Sequence, residues 1–134
     1  MRRAYHGSCH CKAITFTAVL DLSLGTVKCN CHLCWKQRMW KTSRIDVADF
    51  SLVAEPDRLG GFMGKHQGTH HFCNSCGIST HTHVRRPDAG EDYVTVQVAS
   101  LDDLPVDDLL AAPLTIVDGL HDQWSEVPSQ TRHL

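Results

Sequence analysis

Seven cysteines in a chain of 134 residues constrain this protein more than any other feature, because they fall into three tight groups. Cys9 and Cys11 form Cys-x-Cys near the start, and Cys73 and Cys76 form Cys-x-x-Cys past the middle. Between them, Cys29-Asn30-Cys31-His32-Leu33-Cys34 packs three thiols into six residues. Structural zinc is usually closed by four Cys or His side chains, whereas catalytic zinc keeps three protein ligands and leaves one position for water or substrate. The economical division is therefore four plus three. Cys9, Cys11, Cys73 and Cys76 make a closed, structural set, and Cys29, Cys31 and Cys34 make an open, reactive one. An odd count of clustered thiols argues against complete disulfide pairing, which is in any case rare in reducing compartments.

A chain of this length is expected to form one domain over residues 1–134, with its core at about 7–124. Hydrophobic residues make up 42% but aromatics only 7%, so the core is modest and metal cross-links would add usefully to it. Met1-Arg2-Arg3-Ala4-Tyr5-His6-Gly7 has no apolar run behind its arginines, and no stretch approaches the ~18 to 20 apolar residues of a membrane span. A cytoplasmic protein without a membrane partner is the default expectation. The formal net charge is −2 and there is no block of Lys or Arg, which makes nucleic acid a poor default partner.

The pattern along the chain is one of short strands. Gly7 to Cys11 reads as extended, with Cys9 and Cys11 facing one side as residues i and i+2 of a strand do, and is taken to open the folded part. Ala13 to Val19 alternates Ile14 and Phe16 with small or polar neighbours, and Thr26-Val27-Lys28 leads back into the three-cysteine stretch. Cys34 requires the chain to curl, in a helical turn running through Trp35-Lys36-Gln37-Arg38. Further strands are expected after a turn within Ile45 to Val53, at Arg58 to Met63, at Ile78 to Val84, at Tyr93 to Val98 and at Leu114 to Val117. A short helix fits the acidic segment Leu101 to Asp108, before Pro113, and the polar tail to Leu134 is expected to be loose. Gly77 after Cys76 suits a zinc knuckle, since glycine takes positive φ where the chain turns sharply around a metal. With no long amphipathic helix, the class is all-β or β-dominated.

Histidines supply the remaining candidates. His32 and His71 are the nearest to the cysteine groups in sequence, and so are the candidate general acid or base. His66, His70, His71, His81 and His83 are distant residues able to complete the three-cysteine set. The alternation of Ile78 to Val84 puts His81 and His83 on one strand face, read as solvated.

The three motifs, Gly7-Ser8-Cys9-His10-Cys11, then Cys29 through Cys34, then Phe72-Cys73-Asn74-Ser75-Cys76-Gly77, resemble in order and spacing the glutathione-dependent formaldehyde-activating enzyme family. Val94-Thr95-Val96 before Ser100-Leu101-Asp102, and Asp118-Gly119 before Trp124, resemble the family's later strands and its C-terminal feature. The resemblance implies a β-tent of several small antiparallel sheets around a structural zinc, and a second zinc for carbon-sulfur chemistry. The implied cofactors are two Zn²⁺ per chain, on Cys9, Cys11, Cys73 and Cys76 and on Cys29, Cys31 and Cys34. The implied activity is that of a carbon-sulfur lyase acting on thiol adducts, with a small thiol such as glutathione as partner and S-hydroxymethylglutathione formed from it and formaldehyde. Trp35-Lys36 after Cys34, and the His70-His71-Phe72-Cys73 and Gly77-Ile78 forms, are closer to a divergent branch that includes a centromere-associated protein. That branch implies the alternative: a non-catalytic, zinc-stabilised binding module for a protein or chromatin partner.

Overall fold

The computed structural model describes all 134 residues. β1 (Arg3–Ser8) and β2 (Ile14–Leu20) form a hairpin, and β3 (Thr26–Cys29) leads into α1 (His32–Lys36). β4 (Lys41–Thr42), β5 (Ile45–Asp46) and β6 (Phe50–Ala54) follow, then a meander of β7 (Leu59–Met63), β8 (Gly68–Cys73), β9 (Ser79–Arg86) and β10 (Glu91–Val96). α2 (Val106–Ala111) and β11 (Leu114–Val117) complete the chain's regular elements. No helix is long and apolar enough to cross a membrane.

The strands assemble into three small sheets, in the orders β1-β2-β6, β5-β10-β9-β8-β7 and β11-β3-β4, so the fold is β-dominated as the pattern predicts. The first two sheets are wholly antiparallel. The third is mixed, because β11 pairs parallel with β3, Val117 opposite Cys29. A parallel pair needs a long crossover rather than a hairpin, and here the whole meander and α2 lie between the two strands.

Burial alternates along β2, with Ile14, Phe16, Ala18 and Leu20 turned inward. Phe16, Ala18 and Leu20 meet Ile45, Val94 and Val96 from the five-stranded sheet, together with Tyr5 and Leu101, in the main core. A second core surrounds the first cysteine group: Cys9, Ala13, Ile14 and Cys73 are buried, with Leu52, Ala54 and Leu59 packed against them.

Three expectations change. β1 begins at Arg3, ahead of Gly7, and stops at Ser8, so Cys9 to Cys11 lie in a turn rather than on a strand; Lys12 leaves that turn at φ 65°. The face carrying His81 and His83 is not solvated at its His81 end. It opposes Val96 and Val94 in register; His81 is buried, its ring 4.7 Å from Phe50 and stacked 4.6 Å from His71, whereas His83 stays partly exposed beside Asp92. The tail is not loose at its end: Arg38 Nη1 donates to the His133 carbonyl at 2.6 Å, Lys28 Nζ donates to the Leu134 carbonyl at 3.2 Å, and the His133 ring meets Trp35 edge-on at 4.9 Å.

Candidate metal centres and cleft

The loop after β1 and the turn after β8 bring Cys9, Cys11, Cys73 and Cys76 together, with all four Sγ atoms within 4.8 Å of one another. Cys9 and Cys11 Sγ lie 3.7 Å apart, and Cys11 and Cys73 Sγ 3.6 Å apart. Tetrahedral zinc with its usual bond to thiolate sets sulfurs about 3.8 Å apart, so this set fits zinc without rearrangement. Backbone N–H groups aim at the sulfurs as they do at thiolates: Ile14 donates to Cys9 Sγ at 3.3 Å, and Ser75 and Cys76 donate to Cys73 Sγ at 3.3 and 3.5 Å. The N–H groups of Cys76 and Ser75 hold the Cys73 thiol below its ordinary value. Gly77 has φ 77°, the conformation that lets the knuckle close, and its N–H donates to the Cys73 carbonyl at 2.8 Å.

Cys29, Cys31 and Cys34 form the second group, again with every Sγ within 4.8 Å of the others, and no His, Asp or Glu completes the set at that distance. Its shape is local. Cys29 ends β3, Cys31 caps α1 with its sulfur accepting from the Cys34 N–H at 3.4 Å, and Cys34 is the buried member on the helix. The Cys31 N–H donates to Cys29 Sγ at 3.4 Å. Contacts from the Cys29 and Cys34 thiols, then the N–H groups of Cys34 and Leu33, hold Cys31 far below the ordinary thiol range. The same sharing with Cys29 and Cys31, together with burial, pushes Cys34 up. Three converging sulfurs, with Cys31 favoured as the thiolate by its N–H and thiol neighbours, are a donor set suited to a soft divalent ion.

Asn30, between the first two of these cysteines, anchors the loop. Its buried side chain donates to Asp118 Oδ1 at 2.9 Å and accepts from the Leu120 N–H at 3.0 Å. Asp118 also accepts from His121 Nδ1 at 2.8 Å. These bonds press the Asp118 to Trp124 turn against the thiols so closely that a Cβ on Gly119 would overlap Cys29 Sγ and lie 2.9 Å from the Trp124 ring. The sequence marks Asp118-Gly119 and Trp124 only as a feature; the structure gives them the task of walling the thiol group.

The group opens into a cleft of about 890 Å³. Its floor is the outer face of the five-stranded sheet, where His70, Thr82, Val84, Tyr93 and Thr95 alternate with the core-facing residues, and Trp124 and Leu120 form part of the wall. Strand alternation decides between the paired histidines. His70 lines the cleft with Nδ1 2.9 Å from Thr82 Oγ1, and burial plus the Lys41 ammonium pull it down to about 4. His71 points the other way, with Nδ1 3.2 Å from the Gly60 carbonyl and its ring on His81, so it does not reach the thiols as its place in the sequence suggested. His32 and His66 line the cleft; His81 and His83 do not.

Two cysteine groups on a β-sheet scaffold, one closed between sheets and one open to a cleft, define a class of thiol-rich β proteins whose sulfurs could hold metal ions. Residues 4–116 match the family described as glutathione-dependent formaldehyde-activating enzyme. The chain belongs to that family. Among solved structures it is similar to a crystal structure of a Rhodobacter sphaeroides protein, at 28% identity and a TM-score of 0.66 over 82% of this chain and 99% of that one. No curated protein matches it.

Proposed function

We propose that this single-domain, cytoplasmic protein is a zinc-dependent carbon-sulfur lyase-type enzyme that forms or cleaves adducts between a small thiol and an aldehyde. Glutathione and formaldehyde are the pair that its family suggests. Cys9, Cys11, Cys73 and Cys76 hold a structural zinc, and Cys29, Cys31 and Cys34 hold a reactive one. One observation carries this reading: three converging thiols with no fourth side chain open directly into a large cleft.

Zinc held by three thiolates favours the thiolate form of an incoming thiol and polarises an aldehyde oxygen, and is poorer than an imidazole-held ion at generating hydroxide. The chain's own residues arrange the rest. The cleft places thiol and aldehyde side by side, which removes the entropic cost of their encounter. In the addition a carbon-sulfur bond forms, the carbonyl π bond breaks, and the thiol proton ends on the new hydroxyl oxygen. His70, whose imidazole is favoured in the neutral form by burial and by the Lys41 ammonium, lies on the cleft floor with Nδ1 2.9 Å from Thr82 Oγ1 and can relay that proton to the oxygen. His32 is the second imidazole near the thiols. Trp124 and Leu120 give the same wall an apolar surface.

The test uses cobalt-substituted protein, whose visible bands report the ligands of the three-cysteine site. Adding glutathione or 2-mercaptoethanol should shift the bands, and formaldehyde added next should give S-hydroxymethylglutathione, followed by NMR, faster than buffer does. Cys31→Ser should abolish both responses. Bands unmoved by either thiol would overturn the reading.

A further inference from the structure

The strand at the edge of a sheet presents a row of unpaired N–H and C=O groups unless something covers it. The five-stranded sheet ends differently on its two sides. β5, at one edge, is two residues long and carries Asp46, a short charged edge of the kind that resists further pairing. β7, at the other, is the five-residue run Leu59-Gly60-Gly61-Phe62-Met63, with neither a charge nor a proline in it. Phe62 and Met63 are 56% and 62% exposed.

Hydrogen bonds at the two ends of β7 decide which of its backbone groups face outward. The Arg58 carbonyl accepts from the Asn74 N–H at 2.7 Å, and the Gly64 N–H donates to the Gly68 carbonyl at 2.8 Å. Both residues thus turn their backbone groups toward β8, and strand alternation makes Gly60 and Phe62 do the same. The N–H and C=O groups of Leu59, Gly61 and Met63 point the other way, where β7 has no second neighbour.

This edge is complementary to itself. Antiparallel pairing of two copies about Gly61 is the one register that matches the whole strand: Leu59 opposes the partner's Met63, Gly60 opposes the partner's Phe62, and the two Gly61 residues oppose each other. The outward-facing residues then form hydrogen-bonded pairs, giving about six backbone hydrogen bonds across the axis. Each exposed Phe62 meets a glycine, and each Met63 meets a leucine. The flanks agree in charge. Asp57 and Lys65 are both exposed and stand equally far from Gly61 along the chain, so the same register brings Asp57 toward the partner's Lys65. Arg58, next to Asp57, already has Glu55 of its own chain at 3.9 Å. A slip of two residues sets Phe62 against Phe62 in one direction and against Arg58 in the other.

We propose that β7 is a dimerisation edge, which pairs with β7 of a second copy about a twofold axis at Gly61 and joins the two five-stranded sheets into one. The axis stands perpendicular to the sheet, so both clefts open on the same face. Phe62 lines the cleft of its own copy, and Gly60 lies on that same face beneath the Phe72 ring. The partner's Phe62 therefore joins the cleft mouth beside Phe72. This inference does not depend on the chemistry of the three-cysteine group.

The experiment is sedimentation equilibrium combined with amide hydrogen exchange followed by NMR, on the full chain kept in zinc-containing buffer. A strand edge is a small interface, so the dimer should form with a dissociation constant on the order of 10 to 100 μM. Above that concentration wild type should sediment at twice the 15.0 kDa of one chain. The Leu59, Gly61 and Met63 amides should then be protected, and dilution should release them while the Gly60 and Phe62 amides, bonded to β8, stay protected. Met63→Lys puts a charge on the edge and should raise the dissociation constant at least about tenfold without changing the far-UV circular dichroism. If that variant does not fold, the wild-type exchange pattern decides alone. Three results would each overturn the proposal: a monomer at every concentration up to about 1 mM, a dimer whose Leu59, Gly61 and Met63 amides exchange as in the monomer, or a dimer that folded Met63→Lys leaves intact.

Discussion

The two cysteine groups use the same donor atoms and similar N–H···S contacts, yet they are built in opposite ways. The four-cysteine group joins a turn after β1 to a turn after β8 across more than sixty residues, since Cys11 and Cys73 are separated by 62 positions. It sits against its own apolar cluster of Ala13, Ile14, Leu52 and Leu59. The three-cysteine group takes all its ligands from six consecutive residues and borrows its walls from distant ones. Closing a long loop through a metal makes metal affinity part of folding free energy. A local set closes almost no loop, so an ion held there would contribute little to the fold and would be free to exchange ligands.

Removing one ligand from each group is the strongest way to break that contrast. Structural zinc contributes about 10 kcal/mol or more in small domains, as much as the whole stability of a typical one. Cys73→Ser should therefore leave a chain without a cooperative melt and with less than one zinc bound by elemental analysis. Cys31→Ser should lose one zinc of two and keep its far-UV circular dichroism and most of its melting temperature. Equal collapse of both variants would make both groups structural.

The contrast also sets what the sequence discloses. Thiols are rare and their spacing is short-range information, so both groups are legible before any fold is known. The same is true of the strands, whose period-two patterns at β2, β9 and β10 are local. Which face of a strand meets the thiols is not local: adjacent His70 and His71 are chemically equivalent in sequence, and only the register of β8 against β9 sends one to the cleft and the other to the core. The turn at Cys9 to Cys11 looks like a strand in sequence because two residues i and i+2 can share a side in either; the ladder's end at Ser8 decides it.

A smaller effect separates the two faces of the five-stranded sheet. His81 is 6% exposed and stacked on His71, and burial, then the neighbouring charges of His71 and His83, hold it down to about 3. Asp92 lies with His83, at 2.6 Å, and so does not offset charge on His81. The unfolded chain takes up this proton near pH 6.5 while the folded one does not until about pH 3, so stability falls as the pH drops below 6.5. From pH 7 to pH 5 the loss is about 2 kcal/mol. Protonation of the thiols would release any zinc they hold and also weaken the protein in acid, so the measurement is a difference: melting temperature against pH for wild type and His81→Phe, whose cysteine groups are the same. The variant should show the shallower fall, and parallel curves would place the acid sensitivity entirely at the thiols.

The smallest effect tests whether the open group depends on borrowed walls. Gly119 presses its backbone against Cys29 Sγ with Trp124 behind it, and the turn that carries it is tied down by Asn30 and Asp118. A methyl group there cannot fit unless the sulfur or the turn moves, and overpacking of this kind costs about 1 to 3 kcal/mol. The cost falls on the three-cysteine group, because the four-cysteine group and both apolar cores lie on other elements. Gly119→Ala should thus keep the melting temperature within a few degrees while weakening the second zinc about tenfold, the lower end of that range. A competition titration with a colorimetric chelator reads both ions in one experiment: the first should be released at an unchanged chelator concentration and the second earlier. Unchanged release of both would mean that the turn yields without disturbing Cys29, and that the wall is a neighbour of the site rather than a part of it.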